Sequence, residues 1–119
     1  MLVHPSCAAV QLGVAGELAA ICARLADEVV VPAATRCCGM AGDRGWLHPE
    51  LPAAALEDVA HELGDRRFDA CVSSNRTCEI ALQQATGRRY QSVVIALEEL
   101  TRCAGFEAAP TGAGLDSGR

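Results

Sequence analysis

The chain has 119 residues and a formal net charge of −5, with ten arginines and no lysine. That length fits one domain, long enough to bury roughly two thirds of its unfolded surface, and an acidic surface with scattered cations is a poor match for nucleic acid. Half the residues are apolar but aromatics make up only 3%, so the core must be Ala, Val, Leu and Ile; no apolar run approaches the ~18 residues of a membrane span, so no direct membrane insertion is expected.

In chain order, the first β-rich run is Leu2-Val3-His4. A loop His4-Pro5-Ser6-Cys7 follows, and then Val14, Leu18, Ile21, Cys22 and Leu25 recur at helical spacing. Glu28 to Val31 reads as a second strand. The stretch Arg36 to Pro49 has no clear periodicity and carries Cys37-Cys38-Gly39 together with Gly42-Asp43-Arg44-Gly45; loops of this length in compact domains are usually functional. A second helix is predicted from Leu51, Ala55, Val59 and Leu63, a third strand over Ala70 to Ser73, and a third helix from Cys78, Ala81, Leu82 and Ala85. Ser92 to Ile95 is a fourth β-rich run, followed by a fourth helix over Ala96 to Cys103.

This alternation predicts an α/β fold: a small parallel sheet of about four strands with helices packed on it. The strands are nearly continuous apolar runs, as expected when both faces of a parallel sheet are covered. The domain is expected to occupy residues 1–103. Residues 104–119, rich in Gly, Ala, Pro and Ser, are expected to form a disordered tail.

Chemistry concentrates in the cysteines. Cys7 is separated from Cys37-Cys38 by 29 intervening residues, and Cys78 follows after 39 more. Adjacent thiols do not easily close a disulfide on each other, whereas two thiolates joined by single thiolates from distant loops suit metal ligation. On the predicted topology Cys7, the Cys37-Cys38 pair and Cys78 each follow a strand, and the carboxyl ends of parallel strands share the edge where ligands bind. Four thiolates meeting there suit an iron–sulfur cluster or a tetrahedral zinc. Cys78 begins a helix, where unpaired N–H groups favour the thiolate. Gly39 is expected to let the backbone approach a bulky cluster, and His4 to offer a hydrogen bond to a cluster sulfur.

Cys22, Cys71 and Cys103 are expected to be packing residues, and His48 and His61 structural or solvated ones. Arg36, Arg44 and Arg76 flank the thiolate loops and would offset their charge. Asp43 and Arg44 are a candidate pair for shaping the Cys-Cys loop or docking a partner. Seven cysteines is an odd number, and the first residues lack the regions of a signal peptide, which makes a reducing cytoplasm the expected location.

The segments His4 to Cys7, Cys37 to Gly45 and Ser74 to Glu79 together resemble the cysteine-rich CCG domain of heterodisulfide reductases and of the glycolate oxidase iron–sulfur subunit. They look most like the C-terminal domain of FAD-linked D-lactate-type dehydrogenases. The pattern of that family is a lone Cys, a long gap, Cys-Cys-Gly, a comparable gap and Cys-x-x-Cys. Here the last element is Asn75-Arg76-Thr77-Cys78, so Asn75 stands in place of a cysteine. The resemblance covers residues 1 to about 103 and implies that Cys7, Cys37, Cys38 and Cys78 are cluster ligands. Asn75 is then a weak ligand, a hydrogen-bond donor beside the cluster, or a helix N-cap.

Five-cysteine relatives can hold a pair of fused clusters, while four thiolates suffice for a [4Fe–4S] centre. The resemblance further implies that FAD sits on a partner subunit or an upstream domain. This chain, which begins on its first strand, is then a separated subunit or a fragment that oxidises no substrate alone. Three functions compete: electron transfer through an iron–sulfur cluster, a zinc-bound structural or docking module without redox activity, and thiol–disulfide chemistry, which lacks a C-x-x-C motif.

Overall fold

Three short strands form a parallel sheet in the order β1 (Leu2–His4), β2 (Cys71–Ser73), β3 (Tyr90–Ser92). The computed structural model describes residues 1–102; the predicted tail and Cys103 lie outside the described residues. The sheet is smaller than the four strands expected from sequence. Around it lie α1 (Cys7–Gln11), α2 (Ala15–Leu25), α3 (Arg44–Leu47), α4 (Glu50–Leu63), α5 (Arg76–Thr86) and α6 (Val93–Thr101), an α/β architecture.

Two of the four β-rich runs are strands as expected, and two differ. The run at Glu28 to Val31 contributes one bridge, Val30 to Leu2, with Val30 N–H donating to the Met1 carbonyl and Val3 N–H to the Val30 carbonyl, each at 2.9 Å. Pro32 follows, lacking an N–H to donate and restricting Val31 before it, so the pairing stops. At the other end the strand is Tyr90–Ser92 and the β-branched Val93-Val94-Ile95 begin α6. Ser92 decides this, because its Oγ accepts from Val94 N–H at 3.2 Å, an N-cap that turns the chain into helix despite the propensities of the residues after it.

Successive strand residues face opposite sides of the sheet. Leu2, Cys71 and Tyr90 are in register and join one core with Leu56, Val59 and Leu63 of α4 and Ala81 and Leu82 of α5. Val3 and Val72 face the other side, against Leu18 and Cys22 of α2 and Ala96 of α6. Both faces are therefore covered. The predicted helix stripes hold in part: in α2 Leu18 and Cys22 face inward while Ile21 and the N-cap Val14 are exposed, and in α4 the inward positions near its start are Pro52 and Leu56, while Leu51 remains exposed.

Leu2 N–H donates to Ala70 and Val3 N–H to Val30, so Val30 lies on the edge of β1 away from β2. The spatial order is Val30, β1, β2, β3. The chain leaves β1 toward one edge by way of α2, and leaves β2 toward the other by way of α5 on the opposite face. This reversal opens a crevice at the carboxyl ends of β1 and β2, the place where open parallel sheets bind ligands.

Candidate metal centre

Two capped helices start at that crevice. After His4 the chain passes Pro5, and Ser6 caps α1 by accepting from Ala9 N–H at 3.2 Å, which makes Cys7 the first helical residue. After Ser73, Asn75 caps α5, its Oδ1 accepting from Thr77 N–H at 3.0 Å and Thr77 Oγ1 at 2.8 Å; Cys78 is the third residue of that helix. Ser6 and Ser74 share a side-chain hydrogen bond of 3.1 Å that ties the two loops together. Of the roles open to Asn75, this geometry gives it the N-cap.

The Cys37-Cys38 arm comes from Val30 and is held at three points. Glu62 of α4 accepts from the N–H groups of Ala33 and Ala34 at 2.9 and 2.8 Å. His4 Nε2 lies 3.3 Å from the Arg36 carbonyl and Nδ1 lies 3.2 Å from Ser73 Oγ. A carbonyl only accepts, so Nε2 carries the proton and donates. Burial holds the imidazole below the ordinary histidine value, outweighing the opposite pull of the Arg36 carbonyl; the neutral ring then accepts from the Ser73 hydroxyl. Both His4 nitrogens are thereby engaged, by Ser73 and by the Arg36 carbonyl.

The third hold is Gly39. Its φ is +79°, and a Cβ there would stand 2.7 Å from the Leu51 carbonyl oxygen and 2.7 Å from Pro52 Cα. The close approach that Gly39 makes among the described residues is to α4. It brings the arm down so that Cys38 and Met40 enter the core.

At the end of the arm, Cys38 Sγ lies 2.9 Å from Cys78 Sγ, both buried. The hydrogen bond from Cys78 lowers the Cys38 thiol to about 6, outweighing the burial that raises it. Cys78 is driven strongly upward, first by that same bond, then by burial, then by the charges of Cys38, Cys7 and Cys37. Within this pair Cys38 is the sulfur drawn toward the thiolate form and Cys78 the one held as thiol. Cys7 and Cys37 are exposed and line a mainly apolar cavity of about 340 Å³ with Pro5, Val10, Val31 and Pro32.

The sequence model of the CCG family, a cysteine-rich domain, matches residues 1–83. This chain belongs to the CCG family. The matched region runs from β1 into α5 and contains Cys7, Cys37, Cys38 and Cys78. No curated protein and no solved structure matches the chain.

The donor set of this CCG domain fits a thiolate-ligated group by its chemistry: four cysteines on three arms at one sheet edge, with Cys38 drawn toward its thiolate form. Among the described residues no three His, Cys, Asp or Glu side chains form a group that would hold a metal ion as they stand. The sulfur contact gives a physical reason. Two sulfurs on one tetrahedral metal, at metal–sulfur distances of about 2.3 Å, stand ~3.8 Å apart, whereas Cys38 and Cys78 are in hydrogen-bond contact at 2.9 Å.

The remaining candidates fall outside the cluster of sulfurs. Cys22 and Cys71 are buried core thiols, each raised by burial, as expected. Arg76 pairs with the buried carboxylate of Glu79 at 2.9 Å, one residue beyond Cys78. Asp43 does not pair with Arg44 among the described ion pairs but precedes the short helix α3, which sequence reading missed. His48 is exposed beside Glu50 at 3.4 Å, and His61 is exposed on α4. Sequence reading also missed Glu62, Ser73 and the Ser6–Ser74 pair. Their roles rest on contacts 28 to 69 residues apart in the chain, and only the polar residues ending apolar strand runs hinted at them.

Proposed function

We propose that this CCG domain holds an iron–sulfur centre of the [4Fe–4S] type through Cys7, Cys37, Cys38 and Cys78 and serves electron transfer in an FAD-linked 2-hydroxy acid dehydrogenase of the D-lactate or glycolate type. The flavin belongs to a partner subunit or an upstream domain. The observation that carries the reading is the buried Cys38–Cys78 contact, because it delivers two arms of the motif to one point. When bound, such a cluster supplies one-electron redox chemistry.

The chain's own residues account for how such a group would be held. Cys38 and Cys78 supply the inner half from a dry site, where apolar surroundings exclude water. Exposed Cys7 and Cys37 supply the outer half, beside an apolar cavity that leaves this side of the centre near the surface and open to a partner protein. No described helix is long and apolar enough to cross a membrane.

Purification without oxygen, followed by iron, zinc and acid-labile sulfide analysis and a visible spectrum, tests the proposal. Iron with matching sulfide, and colour that bleaches on reduction, is the expected result. Zinc without sulfide would replace it with a structural module that docks to such a dehydrogenase.

A further inference from the structure

We infer that His4 is a positioning residue that acts on the peptide before Cys37 rather than on any sulfur. Three observations converge. His4 is 2% exposed and pairs in register with Ser73 of β2, so its ring stands on the sheet face that also carries Leu2 and Cys71, the side of Cys38 and Cys78. Its Nε2–H donates to the Arg36 carbonyl, 32 residues along the chain. Among the described hydrogen bonds, this one and the Cys38–Cys78 contact are the only ones linking residues 36–39 to the strand ends and to α5.

The peptide unit is planar and trans, so fixing the Arg36 carbonyl also fixes the direction of the Cys37 N–H and the path by which the two cysteines leave it. Ser73 completes the device: its hydroxyl donates to Nδ1 and thereby selects the tautomer with the proton on Nε2. Ser73 is fully buried and touches no sulfur in any described hydrogen bond, so its part is carried out through His4. Only the consequence at a metal rests on the function proposed above. The positioning itself is a property of the protein alone.

The test uses the reduced, chelator-treated full chain and follows alkylation of individual thiols by peptide mass spectrometry. In His4→Gln the side-chain amide nitrogen lies near the place of Nε2 and still donates, whereas the shorter amide of His4→Asn lies near Nδ1 and does not reach. Loss of one buried hydrogen bond should raise the alkylation rate of Cys38 about tenfold in His4→Asn, less in Ser73→Ala, and little in His4→Gln. Cys22, buried on the opposite face, reports general unfolding and should not change.

Equal Cys38 rates in His4→Asn and His4→Gln would overturn the inference. So would Cys22 and Cys38 rising together in both His4→Asn and Ser73→Ala, which would reduce His4 to a core residue. Metal content of the untreated wild-type protein is measured in parallel. A wild-type chain that holds no metal removes the proposed function, while a Cys38 rate that separates His4→Asn from His4→Gln still supports the positioning.

Discussion

The four cysteines of the site divide into two environments. Cys38 and Cys78 are buried and in contact, set by a glycine that admits α4, a histidine that grips the arm and an asparagine that caps the helix. Cys7 and Cys37 are exposed at an apolar cavity. The inner pair is held by the fold and the outer pair is left at the surface. Under the proposed function, the buried half of the motif sets where a metal sits and the exposed half sets how it is reached.

The largest expected effect comes from breaking the inner pair. Cys38→Ser or Cys78→Ser should abolish bound metal, measured as iron or zinc per chain after purification. Cys7→Ser and Cys37→Ser should also lose metal but leave the metal-free stability of the domain unchanged in urea, because these side chains are exposed. If all four variants retain wild-type metal content, the ligand assignment is wrong.

The arm that carries Cys38 offers a second contrast. Gly39→Ala forces a Cβ into the backbone of α4 at a left-handed φ, whereas Gly42, with φ +74°, has nothing within 4 Å of an added Cβ. Gly42→Ala should therefore cost only the left-handed penalty, about 1–2 kcal/mol. Gly39→Ala should cost more and release Cys38 to alkylation. Urea denaturation of the two metal-free variants compares them, and equal losses would mean that close packing against α4 does not hold the arm.

A pH titration sharpens the difference between inner and outer thiols. Thiolate absorbance of the metal-free protein should show one thiol, Cys38, titrating near pH 6, and Cys78→Ala should return it toward the ordinary thiol range. The sign for stability follows from the two shifts. Cys38 is depressed on folding, so its contribution is full above the unfolded value of about 9 and is lost as pH falls through about 6. Cys78 is raised, so it binds a proton more tightly when folded, and stability falls as pH rises above that same unfolded value. The metal-free domain should therefore be most stable near pH 9 with respect to this pair, and a wild-type profile identical to that of Cys78→Ala would contradict the shared proton.

The smallest effect should be at Asn75. Loss of its cap in Asn75→Ala should cost about 1 kcal/mol and leave metal content unchanged, as measured by thermal unfolding and metal analysis. Lost metal with intact stability would instead make Asn75 a ligand.

Much of this was legible in the sequence, for identifiable reasons. Apolar stripes such as Val59 and Leu63 and the buried run at Cys71-Val72 follow from periodicities of 3.6 and 2, and the cysteine spacing pointed to convergence because parallel strands share one carboxyl edge. What was not legible depends on partners distant in the chain or on competition between local signals. Val93 to Ile95 has strand propensity, and only the Ser92 cap turns it into helix. Val29 to Val31 is as β-rich as any run, yet Pro32 and a position at the sheet edge reduce it to one bridge. The partners of His4 and Gly39, a backbone carbonyl and a helix, become known only once the chain is folded.

The central claim is that Cys7, Cys37, Cys38 and Cys78 act together on one bound group. Thiol-specific alkylation of the anaerobically purified protein, before and after removal of metal by a chelator, tests it most directly. The account predicts that all four are protected in the loaded protein, and that in the stripped protein Cys7 and Cys37 react quickly while Cys38 and Cys78 remain slow. Exposed Cys7 and Cys37 reacting equally fast in both states would contradict it.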